Sequence, residues 1–189
     1  MRTRQFVAAF LALVGLCGTI LICALPMWKV SAFVGANIVT AQVYWQGLWM
    51  NCVLQSTGHM QCMAYYSVLA LTQDLQAARG LICASIGVSV IAFGMMVVGA
   101  NCTRFYREDQ LKKTNIGISA GTLYIVGGVM CLVAVCWQTS IIVMNFYNPQ
   151  AIAGTQGELG ACIYIGWVAG FLLIIGGGLL LSTYSNRCC

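Results

Sequence analysis

The chain has 189 residues, of which 60% are hydrophobic and 7% charged, and its mean hydropathy is +0.87. Nine basic and four acidic side chains cannot coat a water-soluble domain of this size, in which about a quarter of residues are charged, so a soluble globular enzyme is excluded; disorder, which goes with low hydropathy, is excluded too. The net charge of +5 comes without a basic cluster interleaved with aromatics, so nucleic acid is not an expected partner, and the basic residues read as a topology signal.

A helix crosses ~30 Å of hydrocarbon with roughly 20 apolar residues, and four charge-free stretches are long enough. The first is placed at about residues 6–25, behind Arg2 and Arg4. Its length and the lack of an A-x-A-like site beyond it argue against a cleaved signal peptide. The loop from about 26 to 79 follows. It is charge-free from Val30 to Gln73, yet polar residues such as Asn37, Gln42, Gln46, Asn51, Gln55 and His59 interrupt it. Its β-branched content predicts strands, with a turn at Gly35 and Asn37 and a small antiparallel sheet on the membrane surface. A short helix is expected at about 66–71. The second span is placed at 80–101, a short loop at 102–115, the third span from 116 past Trp137 (about 116–137), another short loop at 141–159, and the fourth span at 160–183.

Lys and Arg orient these spans. Arg2, Arg4, Arg104, Arg107, Lys112, Lys113 and Arg187 fall on one side, and only Lys29 and Arg79 on the other. Seven against two puts both termini and the middle loop in the cytosol, and the loops at 26–79 and 141–159 outside.

The eleven cysteines sort by compartment. Only Cys52 and Cys62 sit in an outer loop, where the redox poise permits a bridge. A hairpin centred on Thr57 sets Cys52 opposite Cys62, Val53 opposite Gln61 and Gln55 opposite His59, with Gly58 supplying the left-handed residue of a Ser56-Thr57-Gly58 turn. Turn chemistry and cysteine spacing thus predict one register and a structural disulfide. Cys17, Cys23, Cys83, Cys131, Cys136 and Cys162 fall in or near spans, where a thiol acts as a small apolar group. Cys102, Cys188 and Cys189 lie at cytosolic membrane edges and are candidates for S-palmitoylation. The sequon Asn101-Cys102-Thr103 lies in the cytosol on this topology and is expected to be unused.

No Asp, Glu, Lys, Arg or His lies inside the four predicted spans, so an ion-coupled transport path through the bundle is not expected. The GxxxG pairs Gly117/Gly121 and Gly166/Gly170, and the run Gly176-Gly177-Gly178, read as close helix packing. His59 is the sole histidine and sits at the hairpin tip. There is no zinc cluster, no Ser-His-Asp set and no phosphate loop, and Asp74 and Glu158 are too far apart in sequence to suggest acid–base work. Neither an enzyme nor a cofactor is expected.

Trp28, Gly47-Leu48-Trp49, Cys52 and Cys62, with Arg79 at the outer start of the second span, form a W-GLW-C-C pattern that resembles the claudins and their four-span relatives. Asn145-Phe146-Tyr147-Asn148-Pro149 is similar to the aromatic-aromatic-Asn-Pro element of the claudin second loop, and Ala24-Leu25-Pro26-Met27-Trp28, Gln73-Asp74-Leu75-Gln76-Ala77-Ala78-Arg79, Glu158-Leu159-Gly160 and Gly166-Trp167 also match. The first pattern alone is shared with auxiliary channel subunits and with myelin and lens membrane proteins, which stay as the alternative; the second-loop element points to claudins.

The resemblance implies a membrane α-helical fold, a left-handed four-transmembrane-helix bundle with a small extracellular antiparallel β-sheet that takes one strand from the second loop. It implies a tight-junction adhesion protein whose partners are itself and other claudins, side by side in one membrane and head to head between cells, in contact with membrane lipid. Trp49 and its neighbours are expected to anchor the sheet at the membrane interface. The helix near Val68 is expected to dock on a neighbour's Phe146 and Tyr147, with Asn148, Pro149 and Leu159 in the same assembly region. Pore-forming claudins carry charges beside the two cysteines. Here those places read Val53-Leu54-Gln55 and Met63-Ala64-Tyr65-Tyr66, so a barrier or a weakly charge-selective path is expected. Gln46 and Asn145 stand where the family often has acids, and Gln150-Ala151 follows Asn-Pro where enterotoxin-binding members have Leu-Val, so toxin binding is not expected. The chain ends Arg187-Cys188-Cys189 rather than in the Tyr-Val that engages PDZ scaffolds: either it is shortened or it lacks that link.

Overall fold

The computed structural model describes residues 2–33, 42–55, 58–65, 72–99, 110–147 and 157–185. Four helices, α1 (Arg2–Ala24), α2 (Gln73–Gly99), α3 (Gln110–Tyr147) and α4 (Ala161–Ser185), are each long and apolar enough to cross a membrane. Five short strands, β1 (Lys29–Phe33), β2 (Gln42–Gln46), β3 (Met50–Leu54), β4 (Met60–Ala64) and β5 (Glu158–Leu159), form one antiparallel sheet in the order β4-β3-β2-β1-β5.

Two helices are longer than the hydropathy pattern places them. α2 begins at Gln73 rather than at residue 80. Gln73-Asp74-Leu75-Gln76-Ala77-Ala78 are helix-compatible residues, and the Thr72 carbonyl accepts from the Leu75 and Gln76 amides at 3.0 and 3.3 Å. Asp74 then lies in the first turn, where the helix dipole favours an anion. Arg79 is therefore not at the start of this helix but in its second turn. α3 does not stop near Trp137 but runs to Tyr147, so residues 141–147 are helix, not loop. Its 38 residues span about 57 Å at 1.5 Å each, well beyond the hydrocarbon thickness. Loss of hydropathy ends a span, whereas a helix ends at a breaker, and the first after Trp137 is Pro149. The expected helix at 66–71 and the expected turn at Gly35 and Asn37 lie outside the described residues.

α3 packs closely on both α2 and α4, and α1 on α4; α1 and α2 touch more sparsely. Glycines set the close seams. A Cβ on Gly121 would meet the Gly177 carbonyl at 2.9 Å, and one on Gly177 the Gly121 carbonyl at 2.7 Å, so α3 and α4 touch backbone to backbone as small residues allow. The GxxxG pairs expected to pack within the molecule do so: Gly117 faces Tyr184, Gly166 faces Val135 and Gly170 faces Leu132. Gly178 differs, with no atom within 4 Å of its Cβ position. The Ser85 hydroxyl donates to the Gly127 carbonyl at 2.7 Å, tying α2 to α3.

Two apolar cores result. One, at the end away from the sheet, gathers Ala12, Ala92, Tyr124, Leu173 and Tyr184. It is closed by Gln5 Nε2 donating to the Tyr184 hydroxyl at 2.6 Å and that hydroxyl donating to the Gly99 carbonyl at 2.9 Å. The other, beneath the sheet, gathers Ile22, Trp28, Leu48, Leu75, Ile82, Val135 and Ile163.

Candidate functional site

The sheet is sewn to the helix ends by the Pro26–Trp28 segment. The Trp28 amide donates to the Gln46 carbonyl, the Gly160 amide to the Trp28 carbonyl, both at 2.9 Å, and the Cys162 amide to the Met27 carbonyl at 3.0 Å. Trp28 itself is buried, its indole Nε1 donating to the Ile22 carbonyl at 2.7 Å in the last turns of α1. Burying an indole demands a partner for its N–H, and a helix C-terminus has carbonyls to spare.

Gly47-Leu48-Trp49 is the tight turn between β2 and β3, closed by the Gly47 amide donating to the Met50 carbonyl at 2.9 Å. Leu48 is fully buried under it and Trp49 stands half-exposed beside it. A Cβ on Gly47 would run into the backbone of Pro26. Arg79 reaches up from α2 and its Nε donates to the Leu48 carbonyl at 2.5 Å. Its guanidinium lies between two rings, 4.9 Å from the Trp49 centroid and 5.1 Å from that of Tyr65, within cation–π range. The Tyr65 hydroxyl donates to Asn51 Oδ1 at 2.5 Å. Burial pushes the Tyr65 phenol above its ordinary value, against the pull of its hydrogen bond with Gln46, the Arg79 charge and the Asn51 bond, so it faces Arg79 as a neutral ring.

The hairpin β3–β4 has the expected register, with Cys52 opposite Cys62 and Val53 opposite Gln61, and the two cysteines are joined. The Gln55 amide donates to the His59 carbonyl at 3.1 Å and Gly58 has φ of 80°, the left-handed conformation that favours glycine. Ser56 and Thr57 lie outside the described residues. Continuing that register one step sets Tyr65 beside Trp49, and the Tyr65 amide indeed donates to the Trp49 carbonyl at 3.3 Å. In sequence Tyr65 is only an uncharged neighbour of Cys62; the hairpin register carries the signal for its structural part.

Phe146 and Tyr147 are on the last turn of α3, not in a loop, and meet edge to face at 5.6 Å. With Ile142, Val143, Gly157, Glu158, Leu159 and Tyr164 they line an open groove of about 350 Å³. Leu159 is brought there because β5 pairs with β1, Leu159 opposite Lys29. A second, more enclosed cavity of about 250 Å³ lies between β1, β2, the start of α2 and the last turns of α3, lined by Trp28, Lys29, Gln46, Asp74, Gln138 and Asn145 among others. Trp137 Nε1 donates to Asp74 Oδ1 at 3.3 Å and Gln138 Nε2 to the Asp74 carbonyl at 3.0 Å. Val68, Asn148, Pro149, Cys102, Cys188 and Cys189 lie outside the described residues.

The comparisons agree with this geometry. The profile of the PMP-22/EMP/MP20/Claudin family matches residues 2–180. A claudin-like protein, ZF-A89 of Danio rerio, is 52% identical over 176 residues, 93% of this chain and 84% of that protein. Claudin-4 of Homo sapiens is 49% identical over 97% of this chain and 87% of its own length, and claudin-3 of Homo sapiens is 51% identical over 94% and 80% respectively. A tryptophan-pinned, disulfide-closed sheet on four apolar helices, matched from end to end by such relatives, places this chain in the PMP-22/EMP/MP20/Claudin family as a multi-pass tight-junction claudin.

Proposed function

We propose that this claudin polymerises within the membrane and, through its sheet, across the gap between cells, and that the polymer is a barrier or a weakly charge-selective path. The carrying observation is chemical: among the described residues, β2, β3 and β4 hold no charged side chain, and Arg79 is buried under its rings. A wall whose three consecutive strands offer no fixed charge, in a sheet whose other two strands carry one charge of each sign, Lys29 on β1 and Glu158 on β5, has little to concentrate cations over anions or the reverse. In this reading the sheet faces outward, as the seven-to-two division of basic residues and the oxidised Cys52–Cys62 pair favour, and both termini are cytosolic. The groove at Phe146, Tyr147 and Leu159 receives the Val68 segment of a neighbouring copy, with Asn148 and Pro149 at its rim. Cys102, Cys188 and Cys189 take acyl chains at the inner leaflet, and nucleic acid is not a partner in this reading.

Expression in cells that lack claudins tests this. Continuous strands in freeze-fracture images, a raised transepithelial resistance and bi-ionic dilution potentials near the free-solution mobility ratio are expected. A strong cation or anion preference overturns the barrier reading, and surface-expressed protein without strands overturns polymerisation.

A further inference from the structure

We propose that the enclosed cavity between β1, β2, the start of α2 and the last turns of α3 binds the headgroup of a phospholipid that carries both a phosphate and a primary ammonium group. Its volume of about 250 Å³ is several times the ~30 Å³ share of one water in the liquid, so it takes a group of several heavy atoms. Leu75, Ile141 and Ile142 supply an apolar part of the lining, and Lys29, Asp74, Gln138 and Asn145 a polar one. Opposite charges thus reach one cavity from different elements, Lys29 from β1 and Asp74 from the first turn of α2. The Lys29 stem runs so close over Gly157 that a Cβ there would strike it, which limits where the ammonium can go.

The polar side is built but not saturated. Asp74 Oδ1 accepts from Trp137 Nε1 at 3.3 Å, and the Asp74 carbonyl accepts from Gln138 Nε2 at 3.0 Å. Among the described residues nothing donates to Asp74 Oδ2 or to Gln138 Oε1. Gln138 is only 8% exposed, and a buried carbonyl oxygen without a donor costs free energy that a ligand N–H recovers. A primary ammonium brings three N–H donors to Asp74 Oδ2, Gln138 Oε1 and the Asn145 side-chain carbonyl, while Lys29 takes the phosphate in a charge-assisted hydrogen bond. Depth selects a lipid over a free solute. Asp74 precedes Gly80, where the charge-free run of α2 opens, by six residues, which is about 9 Å along the helix; that is the level of the headgroups rather than of the hydrocarbon. Trp137, bonded to Asp74, stands more than half-exposed on the perimeter, as aromatic rings do at that level.

The test titrates the full chain in detergent with phosphatidylethanolamine and, separately, with phosphatidylglycerol, which has the phosphate but no ammonium, and reads the first lipid adduct by native mass spectrometry. Tighter binding of phosphatidylethanolamine is expected. Asp74→Asn, which keeps the acceptor for Trp137, is expected to weaken that adduct about tenfold and to leave phosphatidylglycerol unchanged, whereas Lys29→Met weakens both. Gln138→Leu, which removes Oε1 without changing charge, gives a second reading with melting curves as the check on folding, and Lys112→Met at the other end of the bundle changes nothing. Equal binding of the two lipids to the wild type overturns the site, as does an Asp74→Asn or Gln138→Leu chain that is folded and binds phosphatidylethanolamine as before. Displacement of the lipid by equimolar O-phosphoethanolamine overturns the assignment to a lipid in favour of a soluble zwitterion.

Discussion

The Arg79 guanidinium, rooted in the second turn of α2, donates through Nε to the carbonyl of Leu48 at 2.5 Å. One side chain thereby joins a membrane helix to the turn of an otherwise separate sheet, while the Trp49 and Tyr65 rings shield its charge. Replacing it by Met removes a charge-assisted hydrogen bond and two ring contacts, together worth about 2–4 kcal/mol. Arg79→Lys keeps the charge but not the planar fork and is expected to fall between the two. Thermal unfolding in detergent checks the order wild type, Lys, Met; a Met variant as stable as the wild type would show that the contact contributes nothing.

Gly47 and Gly178 make opposite predictions. At Gly47 an added methyl meets the Pro26 backbone, which cannot retreat without shifting the Trp28 anchor, so Gly47→Ala is expected to cost about 1–3 kcal/mol as overpacking does. At Gly178 the same methyl meets nothing within 4 Å, and Gly178→Ala is expected to be neutral or to stabilise α4 by up to about 1 kcal/mol. Paired melting curves of the two variants decide it.

Reduction of the Cys52–Cys62 bridge frees a short loop in the unfolded chain. The double change Cys52→Ser with Cys62→Ser is expected to lower stability by roughly 2.5–3 kcal/mol in the chain-entropy picture. Limited proteolysis should then cut the β3–β4 hairpin first, since β4 is an exposed edge strand, while the helices stay protected.

Tyr65 gives a pH prediction whose sign follows from burial. Its folded phenol titrates above the ordinary 10.0, so the folded state holds its proton more tightly than the unfolded one. The stability this contributes is complete below pH about 10 and is lost as pH rises through the higher folded value. Tyrosinate absorbance should lose one late-titrating phenol in Tyr65→Phe, with stability near neutrality governed by the lost bonds to Asn51 and the Gly47 carbonyl.

Phe146 is partly exposed on the last turn of α3, so Phe146→Asp is expected to change monomer stability by no more than about 0.5 kcal/mol. Strands in freeze-fracture images should nevertheless disappear at unchanged surface expression, and Val68→Asp should have the same effect. Intact strands in either variant would remove the groove from the assembly.

Much of this protein was legible from residue order. Stretches poor in charge and long enough to cross hydrocarbon must become helices, because a backbone in lipid satisfies its own hydrogen bonds. Ten residues of sequence separation and a glycine in the right place defined the β3–β4 register, because hairpin geometry is local. Helix ends were legible only in part: the charges at Asp74 and Arg79 mark where hydropathy falls, and the helix continues past them because its own propensity and a neighbour's packing hold it. That Phe146 and Tyr147 ride on a helix rather than a loop follows from the same cause.

Residue order alone thus determined the four helices, the disulfide hairpin and the family, since each depends on neighbours a few positions apart or on bulk hydropathy. Only the tertiary structure decided that Arg79 lies under the Leu48 turn beside Trp49 and Tyr65, and that Leu159 closes a groove with Phe146. Those partners come from separate elements, and their meeting depends on how glycine seams such as Gly121 against Gly177 set the helices side by side, which side-chain order by itself does not encode.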